Sequence, residues 1–120
     1  MDSEGIQELH QSLATFAAER DWDQFHSPKN LSMALIVETA ELLEHFQWLT
    51  EEESRNLPDS RHEAVRLELA DIFIYLVRLA DKLNIDLLDA AREKMSLNQL
   101  KYPADQVRGS ARRASEYNAA

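Results

Sequence analysis

Residues 31–43 read LSMALIVETAELL, and residues 68–77 read ELADIFIYLV. Each stretch carries two acids, three positions apart, among apolar side chains. Residues with this spacing project from the same face of a helix. Carboxylates among apolar groups are costly unless a positive partner meets them. Both stretches are therefore predicted to be helices whose acids share a positive partner.

The rest of the chain favours an all-α fold. Its 120 residues contain two glycines and three prolines, and the prolines lie between segments with helical periodicity. Ser27 is predicted to cap one helix, and capping boxes are expected at 50–53 and 60–63. Four long helices are predicted, at about 6–20, 28–48, 59–83 and 86–101.

A chain of this length is expected to form one domain, here over residues 1–104, followed by a mobile C-terminal tail over residues 105–120. The second and third predicted helices are apolar around most of their circumference, which is typical of core helices. Four helices of one chain would bury two such helices only in part. The four-helix, bundle-like fold is therefore expected to be completed by oligomerisation.

Charge and composition exclude several classes of protein. The formal net charge is −9, which repels nucleic acid and anionic membranes, although a negative balance also simply keeps many proteins soluble. There are no cysteines, which excludes disulfides and thiolate sites. The chain shows neither a signal peptide nor a membrane-spanning run. A cytoplasmic protein is predicted, and any phosphorylated substrate should arrive with a cation.

The four acids predict a metal site. Glu38 and Glu41 would converge with Glu68 and Asp71 if the second and third helices pack side by side. An all-oxygen site favours Mg²⁺ or Mn²⁺ over iron or zinc. A ferritin-like site is disfavoured because neither pair has the Glu-x-x-His form, since Glu41 is followed by Glu44. The alternative is that each pair lies solvated on an exposed stripe.

Flanking segments in the same order strengthen this prediction. They read ERDWDQFH at 19–26, PKNL at 28–31, FQW at 46–48, ELAD at 68–71, YLV at 75–77, KM at 94–95 with Asn98, YP at 102–103 and RGSA at 108–111. With the acids, they resemble the MazG-like all-α nucleoside triphosphate pyrophosphohydrolases, and most closely the dCTP pyrophosphatase branch of that family. The resemblance covers roughly residues 16–111.

This resemblance implies hydrolysis of a nucleoside triphosphate, such as dCTP, between the α- and β-phosphates, giving the monophosphate and pyrophosphate. It also implies a homodimer or homotetramer. The implied ligands of Mg²⁺ are Glu38, Glu41, Glu68 and Asp71. Glu41 is our candidate general base. The candidate substrate-binding residues are Trp22, His26, Trp48 and Tyr75 for the base, and Lys82, Lys94 and Asn98 for the phosphates.

Two other functions remain open from the sequence. One is a non-catalytic helical interaction module whose acids bind a stabilising cation or a nucleotide. The other is a nucleotide sensor that binds without turnover. The aromatic residues are also consistent with ordinary packing beside helix ends, and each lysine is consistent with a solvated surface charge.

Overall fold

The computed structural model describes residues 3–111, and within this range the chain is helical and has no strand. The order of elements is α1 (Ser3–Glu19), a 3₁₀ turn (Asp23–Phe25), α2 (Pro28–Glu44), α3 (Glu51–Arg55), α4 (Asp59–Lys82), α5 (Leu87–Lys101) and α6 (Ala104–Val107). The predicted all-α fold is confirmed. The described residues fall into two compact units that meet in sequence at the Ile85–Asp86 bond. Within residues 3–111, every helix is too short or too polar to cross a membrane.

The first unit is built around α4, which packs against α2 and also contacts α1. Its buried apolar side chains come from all three helices: Ala17 from α1, Leu31 from α2, and Val65, Val77 and Ala80 from α4. This core is small for the number of apolar residues that the three helices carry. Much of the apolar surface of α2 and α4 therefore stays exposed in the single chain.

Two predicted helix starts are confirmed by their capping hydrogen bonds. The Ser27 hydroxyl accepts from the backbone N–H of Asn30 at 3.1 Å, and Pro28 is the first residue of α2. At α3, the Thr50 hydroxyl accepts from the N–H of Glu53, and the Glu53 carboxylate accepts from the N–H of Thr50. This reciprocal pair is a capping box.

Two details of the predicted helices are wrong. The capping box expected at 60–63 is absent, because Pro58 directs the chain into α4 at Asp59 and leaves Ser60 inside the first turn, without a capping hydrogen bond at the N-cap. The second helix ends at Glu44, four residues before the predicted end at Trp48. The guanidinium of Arg61 donates to the carbonyl of His45 at 2.8 Å and so satisfies the end of α2.

A left-handed residue reverses the chain after α1. Asp21 has φ +54°, a conformation that Asp and Asn tolerate better than most residues. The N–H of Trp22 then donates to the carbonyl of Ala17 at 2.9 Å. This turn brings Trp22 back over the end of α1, at the start of the segment that leads into α2.

The second unit contains α5 and α6. Asp86 caps α5 by accepting from the N–H of Asp89 at 3.0 Å, and the helix ends at Lys101 as the sequence predicts. α6 crosses the predicted start of the C-terminal tail at residue 105. Residues 112–120 of that tail lie outside the described residues, so the tail and the domain boundary stay predictions.

Candidate metal and nucleotide site

Three of the four predicted ligands lie together where α2 packs against α4. Glu38 and Glu41 come from adjacent turns of α2, and Glu68 comes from α4. One carboxylate oxygen from each lies within 4.8 Å of the others. Glu38 and Glu68 are half-buried and Glu41 is exposed, so one side of this acidic cluster faces solvent.

The acidic cluster is electrostatically unfavourable on its own. A hydrogen bond with Glu68, burial, and the nearby charge of Glu41 raise the pKa of Glu38 to about 7. Oε2 of Glu38 and Oε1 of Glu68 are buried and have no hydrogen-bond partner among the described residues. Buried acceptors of this kind need a donor or a cation. The oxygen-only donor set fits a hard divalent cation such as Mg²⁺.

Asp71 and Tyr75 continue the same side of α4. Asp71 is exposed, one turn beyond Glu68, and it stands outside the group of three whose oxygens lie within 4.8 Å. Tyr75 is half-buried, one further turn along. Their spacings of three and four residues place all three side chains on one helical face. Metal ligation by Asp71 therefore stays a prediction.

The aromatic candidates divide into a pair and a separate indole. Trp22 packs edge-on against Phe16, with ring centroids 5.5 Å apart, and its ring lies 6.3 Å from that of His26. The structure therefore brings Trp22 and His26 together at the end of α1. Trp48 lies in the turn after α2 and is 86% exposed, so nearly all of its indole surface is free for contact.

The three candidate phosphate-binding residues lie in different settings. Nζ of Lys82 donates to Oδ1 of Asp23 at 3.0 Å, so a phosphate would compete with this carboxylate for the ammonium group. Lys94 and Asn98 lie one turn apart on α5, in the second unit, with Lys94 exposed and Asn98 half-buried. Phosphate binding by these residues stays a prediction.

Arg78 is not among the site residues predicted from the sequence. Its side chain is 4% exposed, and it donates to Asp23 at 2.8 Å and to Asp81 at 3.2 Å. Asp81 in turn pairs with His10 of α1 at 2.5 Å. A signal was available, because Arg78 interrupts the apolar run YLVRLA at 75–80 and lies on the helical face of Glu68, Asp71 and Tyr75.

Comparison with known proteins supports the resemblance seen in the sequence. The sequence profile of the MazG-like family matches residues 33–116. dCTP pyrophosphatase 1 of Homo sapiens is 47% identical over 115 residues, which cover 94% of this chain and 66% of the human protein. The Bos taurus protein of the same name is 49% identical over 110 residues, covering 90% of this chain and 63% of its own. The chain thus spans just under two thirds of the length of these relatives.

A solved structure supports the same conclusion about the fold. The pyrophosphatase of Archaeoglobus fulgidus DSM 4304 superposes with a TM-score of 0.80 at 38% identity. The match covers 86% of this chain and 96% of the archaeal one. The predicted MazG-type fold and the likeness to dCTP pyrophosphatases are confirmed, and the chain belongs to the MazG-like family.

Proposed function

We propose that this protein is a Mg²⁺-dependent nucleoside triphosphate pyrophosphohydrolase that converts dCTP or a similar nucleotide to the monophosphate and pyrophosphate. The acidic cluster is the observation that carries this proposal. Two helices bring three carboxylates within 4.8 Å of one another, and two of their oxygens are buried without a hydrogen-bond partner in the part of the chain that the structure describes. The names of the relatives, dCTP pyrophosphatase 1 and a pyrophosphatase, support the reaction class.

Glu38, Glu41 and Glu68 would hold the cation, with Asp71 as a fourth ligand from the next turn of α4. Mn²⁺, which also prefers oxygen ligands, would substitute for Mg²⁺. Bound there, the ion would supply Lewis-acid catalysis by neutralising charge on the triphosphate oxygens as the transition state forms. The same ion would reconcile a triphosphate with a chain whose net charge is −9.

Glu41 is suited to the proton transfer because it is the exposed member of the acidic cluster. It would accept a proton from the water that attacks the α-phosphorus. A new P–O bond forms, the bond from the α-phosphorus to the bridging oxygen breaks, and pyrophosphate leaves with the bonding electrons. The half-buried Glu38 and Glu68 would remain as ligands throughout.

The nucleotide would be held by the aromatic and cationic candidates. Trp22, Trp48 and Tyr75 offer ring faces on which a base can stack, and stacking contributes affinity with little selection among bases. His26 adds a polar group beside Trp22. Lys94 and Asn98 would donate to phosphate oxygens, with Lys82 as an assisting cation once Asp23 releases it.

We also propose that the protein works as a homodimer or homotetramer. Met33, Ile36 and Val37 of α2 are about half exposed or more, as are Leu67 and Leu69 of α4. Both helices also carry the acidic cluster, so a second copy that covered this apolar surface would lie near the site. The cytoplasmic location, and the absence of nucleic-acid and membrane partners, stay predictions from the charge and composition of the chain.

The test is a substrate panel. The purified protein, with and without Mg²⁺, is offered the common and several modified nucleoside triphosphates, and pyrophosphate and orthophosphate are measured separately. We expect Mg²⁺-dependent release of pyrophosphate, with a cytidine nucleotide among the best substrates. Release of orthophosphate alone would contradict the proposed bond cleavage. If nucleotide quenches tryptophan fluorescence but no product forms, the non-catalytic binding function is correct instead.

A further inference from the structure

Among the described residues, Arg78 is the charged side chain that is buried. Burying a guanidinium is costly unless its donors are paired. Two of its nitrogens find partners, whereas Nε has none among the described residues. The paired donors of Arg78 reach Asp81 on its own helix and Asp23 in the segment before α2. This segment is the Trp22 connector, which we define as residues 20–27 between α1 and α2.

The contacts of Arg78 link the Trp22 connector to α4. Its Nη2 donates to Oδ1 of Asp23 at 2.8 Å and lies 3.2 Å from Nδ1 of His26. Its Nη1 donates to Asp81, one turn along α4. Lys82 also donates to Asp23. One buried side chain therefore contacts Asp23, the first residue of the 3₁₀ turn, and His26, the residue directly after the turn.

The contact with His26 determines which ring nitrogen carries the proton. A guanidinium is always charged and can only donate, so Nδ1 of His26 must accept and carry no hydrogen. In neutral imidazole the hydrogen then lies on Nε2. Burial and the charge of Arg78 lower the pKa of His26, with Lys82 acting in the same direction and Asp23 opposing. Burial and the charge of Arg78 thus favour the neutral form of the ring.

We propose that Arg78 is a positioning residue that fixes the Trp22 connector and holds His26 in the Nε2–H tautomer, so that a hydrogen-bond donor stands beside Trp22. This donor would bond to an acceptor of the base, either a carbonyl oxygen or an unprotonated ring nitrogen, and so orient the base beside Trp22. The contact with a base rests on the proposed function. The tautomer and the role of Arg78 in the connector do not.

The position of Arg78 on α4 supports this role. It lies seven residues, or about two helical turns, beyond Asp71 on the same face. The helix that carries Glu68 to the acidic cluster therefore also anchors the Trp22 connector. A nucleotide whose phosphates meet the cation at the acidic cluster would therefore have its base directed toward the Trp22 connector.

The first experiment measures the tautomer directly. Protein labelled with ¹⁵N-histidine is studied at pH 7 by long-range ¹H–¹⁵N NMR, which distinguishes a protonated from an unprotonated ring nitrogen. We expect unprotonated Nδ1 and protonated Nε2 for His26 in the wild type, and a mixture of tautomers in Arg78→Lys. Arg66→Lys is the matched control, since Arg66 lies on the same helix and, among the described residues, pairs with Glu63 on the surface. Protonated Nδ1 in the wild type would overturn the proposal without any variant.

The second experiment tests the consequence for substrate. Arg78→Lys retains a positive charge but loses the forked geometry, so the KM for dCTP should rise about 3- to 10-fold, as expected for losing one hydrogen bond. The kcat and the Mg²⁺-induced rise in melting temperature should stay close to wild type. An unchanged KM in an active variant, with only a lower melting temperature, would show a purely structural role and overturn the proposal. Wild-type protein that releases no pyrophosphate from any nucleotide would instead contradict the proposed function and leave the tautomer result standing.

Discussion

Glu38 of α2 and Glu68 of α4 bring carboxylate oxygens within 4.8 Å of each other, and each carboxylate has one buried oxygen without a hydrogen-bond partner among the described residues. Ionising both carboxylates at this distance is costly, so the metal-free fold favours the protonated form of Glu38. A divalent ion would replace that proton and satisfy both unpaired oxygens. The protonation of this pair and the binding of metal should therefore be linked.

The first prediction follows from this linkage and concerns how the stabilisation by Mg²⁺ depends on pH. The pKa of Glu38 is raised from 4.5 to about 7 in the metal-free fold. A raised carboxyl pKa favours the folded state below pH 4.5, and this contribution is lost as the pH rises to about 7. Mg²⁺ binds the ionised form, so saturating Mg²⁺ should raise the melting temperature by several degrees at pH 8 and by much less at pH 5.5.

Differential scanning fluorimetry at the two pH values, with and without Mg²⁺, checks this prediction. Glu38→Gln removes both the titrating group and a ligand, so its Mg²⁺ shift should be small at both pH values. An equal Mg²⁺ shift at both pH values in the wild type would mean that the ion binds elsewhere.

The second prediction concerns the ligands and the base. Glu38→Gln, Glu68→Gln and Asp71→Asn should each abolish turnover, because a neutral amide is a poor ligand for Mg²⁺. Glu41→Gln should lower kcat by about 10²- to 10⁴-fold, which is the usual contribution of a general base. Pyrophosphate release is the assay, and circular dichroism should show nearly unchanged helicity.

Glu63→Gln is the control for these variants, since Glu63 lies on α4 but pairs with Arg66 on the surface. It should retain wild-type activity. If the three ligand variants also kept wild-type pyrophosphate release, the site would be assigned to the wrong residues.

The third prediction concerns assembly. Ile36 is 68% exposed on the apolar face of α2, so Ile36→Lys should split the oligomer while each chain keeps its helices. Light scattering at micromolar concentration should give the mass of a single chain for this variant. Gln7→Lys adds the same charge to an exposed position on α1 and should leave the assembly intact. A wild-type protein that scatters as a monomer would refute the proposed oligomer.

The fourth prediction is a stability change away from the site. Thr50→Ala removes the hydroxyl that caps α3 and should cost about 1 kcal/mol in the free energy of unfolding. Ser54→Ala is the control, because its hydroxyl only donates back to the carbonyl of Glu51. Urea denaturation measures both variants, and the KM for nucleotide should not change in either.

The same cap should weaken in acid. Hydrogen bonds from the backbone and hydroxyl of Thr50 lower the pKa of Glu53. A lowered carboxyl pKa contributes stability above the unfolded value of 4.5, and this contribution is lost as the pH falls through the folded value. The difference in the free energy of unfolding between wild type and Glu53→Gln, which cannot titrate, should therefore be smaller at pH 3 than at pH 7.

The acidic cluster was predictable because its information is local. The spacing of Glu38 and Glu41 already places both on one helical face, and only the packing of α2 on α4 had to be assumed. The caps at Ser27 and Thr50 were predictable for the same reason. The expected cap at Ser60 was wrong because Pro58, two residues earlier, already sets the direction of the chain.

The network around Arg78 could not be derived from local pattern. Its partner Asp23 lies 55 positions away, and nothing in the sequence shows that the two meet. The position of Trp22 depends on the left-handed conformation of Asp21, which many Asp residues do not adopt. Helical periodicity thus identifies faces and acids, whereas the pairing of distant charges requires the fold.

The 24 residues of α4 form a rod about 36 Å long. Asp71 and Arg78 both lie on this helix, and the rise per residue fixes their separation at about 10 Å along the axis. Inserting a single residue between them would swing Arg78 by about 100° and detach the Trp22 connector from the side that carries the acids. Under the proposed function, this fixed separation limits the length of a substrate that can span the acidic cluster and the Trp22 connector.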